Sequence, residues 1–129
     1  MTSDDRMTRG REMAARLLAG APPGRKLPRD FFRQTVENVF GDAWQGDELE
    51  LQERSLVTCA VLVALGRENE QRIHFRGARN LGIERVRLEA MISHVAYYAG
   101  WPVSVSAMHT LDELWEEMDA QAAARGGAA

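Results

Sequence analysis

Apolar positions recur at helical spacing along most of the chain, and no β-rich stretch alternates apolar with polar residues. The pattern predicts around six helices joined by short breaks. The first spans Thr8 to Ala19 and stops at the breaker sequence Gly20-Ala21-Pro22-Pro23-Gly24. Pro28 stands where a first helical turn tolerates it, and Asp30 to Phe40 carries apolar residues at Phe32, Val36, Val39 and Phe40. Gly41 ends that helix and opens the loop GDAWQGDELE, which holds Trp44.

Leu51 to Leu65 is the most apolar segment. Leu51, Leu56, Cys59, Ala60 and Val63 form a stripe that Leu62 and Leu65 widen, so this helix is expected to be the most buried. Gly66 closes it. A polar helix follows from Glu68 to Asn80, and Gly82 stops it. Glu84 to Ala99 reads as the next helix, ended by Gly100 and Pro102. The last, Val103 to Ala120, has Val105, Met108, Leu111, Trp115 and Met118 in helical register. Residues 1–7 and the tail 121–129 are expected to be flexible. The expected architecture is all-α, a single bundle over residues 1–129.

Composition narrows the class of function. With 129 residues the chain can bury one sizeable core. A net charge of −3 with 27% charged residues gives no uniformly basic surface for nucleic acid. The longest largely apolar run, Leu56 to Leu65, is far short of a membrane span. The charged start MTSDDRMTRGREM lacks a signal-peptide core, so a cytoplasmic location is expected. A single cysteine, Cys59, excludes an intrachain disulfide and any Cys-x-x-Cys motif, and its place on the apolar stripe predicts a packing role.

Candidate chemistry lies in the two helices between Gly66 and Gly100. In GRENEQRIHFRGARNLG, residues 66–82, Glu70 and His74 are four apart and Arg67 lies three before Glu70, so all three share a helix face. A cation, a carboxylate and an imidazole in line suit anion binding and proton transfer, though a solvated face uses the same residues. His94, inside the apolar run MISHVAYYAGWP, fits either a pocket residue or a hydrogen-bonded core histidine. His109 lies beside Asp112 and Glu113, which suits a surface ion pair. Trp44 reads as a pocket wall or as a plug over the core. The three histidines are too far apart in sequence for a local ligand motif, so neither a metal nor a cofactor is expected.

These residues carry a resemblance. The run from Glu53 to His109, with RSLVT, ALGRENE, His74 four residues after Glu70, HxxxYAGxP ending at Pro102 and AMH, resembles the carboxymuconolactone decarboxylase family. FGDAW at 40–44 extends the likeness upstream. The resemblance implies an alkylhydroperoxidase D-like fold and a homotrimer or homohexamer with sites near subunit contacts. The related peroxidase branch carries Cys-x-x-Cys-x-x-x-His. Aligning that histidine with His74 puts Arg67 and Glu70 at the cysteine positions, which excludes thiol chemistry. Glu53 falls where that branch has a proton-relay glutamate.

What the resemblance implies is cofactor-independent loss of carbon dioxide from a small unsaturated carboxy-lactone such as 4-carboxymuconolactone, through a dienolate protonated at carbon. His74, Glu70 and His94 become the candidate catalytic residues. Arg67, Trp44, Glu53, Tyr98, Trp101 and His109 become candidate contacts to a small-molecule substrate. The chain departs from the family in its acidic loop QGDELELQE and in the bulky Trp101 before Pro102-Val103-Ser104. A lyase, isomerase or cyclase acting on another small carbonyl compound, and a non-catalytic oligomeric binding protein, are the alternative readings.

Overall fold

Helix boundaries follow local chemistry closely in the computed structural model, which describes residues 2–127. The first helix, α1, spans Ser3–Leu17. It starts earlier than periodicity alone predicts because Thr2 and Asp5 form a reciprocal cap: the Asp5 amide donates to the Thr2 hydroxyl (3.1 Å) and the Thr2 amide to the Asp5 carboxylate (3.2 Å). Helix α2, Arg29–Gln34, opens after Pro28 and runs directly into a π-helical segment, Thr35–Phe40. A short 3-10 turn, Ala43–Gln45, carries Trp44. Then come α3 (Leu51–Ala64), α4 (Glu68–Asn80), α5 (Arg85–Ala99) and α6 (Trp101–Gly127). No strand occurs among the described residues.

The first half of the chain is held by close backbone approach. A Cβ on Gly10 would collide with the Val36 carbonyl oxygen, and one on Gly41 with that of Arg6. Only glycine lets α1 and the π segment cross this tightly. Behind the crossing, Leu17, Trp44 and Leu81 form a small apolar cluster with Met13, Leu18, Phe40 and Leu51 packed around it.

The main core is built by α3, α4, α5 and α6. Cys59, Val63, Phe75, Ala78, Leu88, Ile92, Ala107 and Leu111 are buried in it. Gly100, at φ 111°, turns the chain sharply between α5 and α6, and Ser104 Oγ ties the corner by donating to the Ile92 carbonyl at 2.8 Å. Helix α6 is longer than the apolar register predicts. It starts at Trp101, with Pro102 in its first turn, and its alanine-rich end continues through residue 127. Arg76 holds that end by donating to the Gln121 side chain at 2.9 Å. The segments expected to be flexible therefore largely belong to helices; Met1, Ala128 and Ala129 lie outside the described residues.

One expectation fails. Helix α3 is not the most buried: it buries Ser55, Cys59 and Val63, whereas α4 buries Gln71, Phe75, Arg76, Gly77 and Ala78. Helix α3 packs on its neighbours along one side only. Its second apolar ridge faces out, with Val57 54% and Val61 50% exposed.

Candidate functional site

Gly66, at φ 68°, separates α3 from α4 and leaves Arg67 at the N-cap of α4. The cap amide of Arg67 donates to the Leu62 carbonyl at 2.9 Å. Its guanidinium meets the Glu70 carboxylate at 3.2 Å. The Arg67 hydrogen bond is the chief reason that the Glu70 carboxyl is held below its usual range, and His74 adds a smaller attraction.

His74 sits one turn further along the same face. Burial lowers its pKa from the ordinary 6.5, and the Glu70 charge opposes that shift in part. Burial thus favours the neutral imidazole, and Glu70 favours the charged one. On the core side, Cys59 Sγ donates to the His74 carbonyl at 3.5 Å. Burial pushes the Cys59 thiol up to about 12, which denies it any thiolate role near neutral pH. Cation, carboxylate and imidazole thus follow one another along a single face of α4, as their spacing requires.

His94 is not inside the protein. It is exposed on α5, with the Tyr98 ring 5.2 Å away at a 42° tilt. Both border a groove of about 540 Å³ between α3 and α5, lined by Ala60, Val61 and Ala64 on one side and His94, Val95 and Tyr98 on the other. Arg67, Glu70 and His74 do not line this groove.

The remaining candidates are dispersed. Trp44 is 6% exposed and packs with Leu17 and Leu81, while its edge borders a small cavity of about 170 Å³ beside Arg54 and Thr58. Glu53 caps α3, its carboxylate accepting the Glu50 amide at 2.8 Å. Trp101 is exposed and meets Tyr97 edge to face, with centroids 5.9 Å apart. His109 is exposed on α6. Among the described residues no group of three or more His, Cys, Asp and Glu side chains could hold a metal ion, and no helix is long and apolar enough to cross a membrane.

Periodicity overlooked one feature. Arg25, Lys26 and Arg29 gather at a cavity of about 710 Å³ walled by Leu18, Leu27, Phe32 and Ile73. The basic run RKLPR at 25–29 was its only trace in the sequence.

An all-α subunit with an Arg, Glu and His line on one helix carries groups suited to anion binding and proton transfer, and its one cysteine is buried. Comparison with known proteins gives the family. The carboxymuconolactone decarboxylase family matches residues 29–113, and the chain belongs to it. It is 36% identical over 124 residues to a 4-carboxymuconolactone decarboxylase of Acinetobacter baylyi, covering 92% of each chain. It is also 28% identical over 99 residues to a nitrosuccinic acid decarboxylase of Metarhizium robertsii, covering 77% of this chain and 67% of that one. The chain is a decarboxylase-like enzyme.

Proposed function

We propose that the protein removes carbon dioxide from a small carboxylic acid whose departing carboxylate sits next to an electron-accepting group, with 4-carboxymuconolactone as the first substrate to test. The observation that carries this reading is the Arg67, Glu70 and His74 line on α4 in a chain of this family. In the lactone, the carbon–carboxylate bond breaks and its electron pair moves through the ring double bond into the lactone carbonyl, giving a dienolate. In nitrosuccinic acid, the nitro group would take up the same electron pair as a nitronate. Both reactions leave an anion that must be protonated at carbon, and both substrates keep a second carboxylate. The electron sink belongs to the substrate, so the protein has to hold the anion and move one proton.

Arg67 anchors a substrate carboxylate, His74 delivers the proton to carbon, and Glu70 orients the imidazole and favours its charged form. His94 is the second proton donor to test. The working assembly is a homotrimer or homohexamer, supported by the uncovered ridge of α3 and by exposed Tyr97, Tyr98 and Trp101. A neighbouring chain could then close the groove beside His94.

The test is incubation of the purified chain with 4-carboxymuconolactone, following carbon dioxide release and loss of ultraviolet absorbance, with nitrosuccinate in parallel. Turnover of the lactone supports the reading. Turnover of nitrosuccinate alone moves the substrate to the nitro class. Binding of both without release of carbon dioxide would make the chain a binding protein.

A further inference from the structure

The cavity under the loop between α1 and α2 has the size of a small-molecule site, about 710 Å³; such sites typically run to about 300–1,000 Å³. Two independent properties point to its occupant. First, its walls are apolar side chains left uncovered by the core: Leu27, Phe32 and Ile73 are each large and exposed. Second, its rim carries Arg25, Lys26 and Arg29, and no acidic residue lines it.

Among the described residues, the cations at the rim have no partner that would hold them away from a ligand. Arg33, Arg67, Arg72, Arg79 and Arg85 each pair with a carboxylate. Among the described residues, Arg25, Lys26 and Arg29 make neither an ion pair nor a side-chain hydrogen bond. Three cationic side chains thus border an apolar hollow in a protein whose net charge is −3. A neutral apolar ligand would leave the cations unused, and inorganic anions would leave the hollow unfilled.

This cavity is distinct from the line on α4. Ile73 precedes His74 by one position, which places it about 100° around the helix. The stretch from Leu18 to Leu27 that forms most of the walls also precedes the family-matched segment, which begins at residue 29. The hollow is therefore largely built by sequence outside that segment.

We propose that this cavity binds a small carboxylate with an extended apolar body. Arg25, Lys26 and Arg29 hold the carboxylate, and Leu18, Leu27, Phe32 and Ile73 enclose the body. The site does not rest on the decarboxylase reading, because its occupancy is measured without turnover.

Calorimetric titration of the full chain with octanoate and, separately, with 1-octanol tests it. Octanoate binds saturably, and the alcohol binds about 10-fold or more weakly, because it cannot form the charge-assisted hydrogen bonds. In the triple variant R25Q/K26Q/R29Q octanoate affinity falls by about 10-fold or more. Ile73→Trp fills the hollow from its wall and abolishes binding while the cations remain. Absence of saturable octanoate binding, equal affinity for the alcohol, or full affinity in either variant overturns the proposal. The octanoate and octanol comparison on the unsubstituted chain decides the matter even if a variant fails to fold.

Discussion

On α4, burial and a carboxylate pull the half-buried His74 imidazole in opposite directions, and burial is the larger effect. A general acid must carry its proton. With its pKa below 6.5, the active form is lost as pH rises through that lowered value. The descending limb of kcat/KM against pH is therefore expected below 6.5. Glu70→Gln removes the charge that favours imidazolium, so it moves the limb lower still. A limb that rises in that variant would contradict the assignment. His74→Ala is expected to lower turnover by about 10²–10⁴-fold with the fold intact. Arg67→Ala should raise KM more than it lowers kcat, since an anion anchor acts on ground and transition states alike. Full turnover in His74→Ala with loss in His94→Ala would move the donor to α5. Cys59→Ser should keep turnover within a few-fold, yet cost about 1–3 kcal/mol of stability by denatured-state titration, because it places a hydroxyl in the core. Residue spacing made the α4 line legible, since three- and four-residue intervals fix a helix face whatever lies around it. The exposure of His94 was not legible. Which side of an apolar helix is covered depends on its neighbours, and α5 buries Leu88, Ile92, Val95 and Ala96 instead.

Elements differ in how much of them a sequence can state. The breaks at Gly41, Gly66, Gly82 and Gly100 mark real helix ends, and at the last three the backbone takes a positive φ that glycine adopts freely. The start of α1 escaped periodicity, since Thr2 and Asp5 set it by capping in a polar stretch. The π segment escaped it too. Contacts from α1 and α2 meet there: Glu37 is buried, accepting a hydrogen bond from the Ser3 hydroxyl, with Arg33 at 3.5 Å and Arg6 at 3.8 Å. The Ser3 hydrogen bond is the main cause that keeps the Glu37 carboxyl below its ordinary 4.5. A depressed folded-state pKa adds stability above the unfolded value and loses it as pH falls through the folded one. Glu37→Gln should therefore melt below the unsubstituted chain at neutral pH, with the gap closing as pH drops under 4.5. A constant gap across pH, followed by circular dichroism, would show that Glu37 acts through shape alone.

For the whole molecule the decisive quantity is apolar surface that no part of the chain covers. Val57, Val61 and Leu65 form a ridge on α3, Leu65 being 67% exposed, and Tyr98 on α5 is 83% exposed across the groove. Side chains of this kind, contiguous rather than scattered, mark a surface that another protein covers. The most apolar helix of the sequence was expected inside, and its composition is accounted for if a second copy supplies the missing neighbour. A symmetric assembly would bring the same ridge from each chain toward the others. Light scattering at micromolar concentration should then give a trimeric or hexameric multiple of 14.4 kDa. Val61→Asp places a charge on the ridge without touching the buried face of Cys59 and Val63, so the subunit should stay helical while the assembly dissociates. Because His94 and Tyr98 border the same ridge, dissociation should also weaken turnover, whereas His74→Ala should lower turnover and leave the assembly whole. A monomeric unsubstituted chain that turns over substrate fully would remove the neighbour from the site and leave the α4 line to act within one subunit.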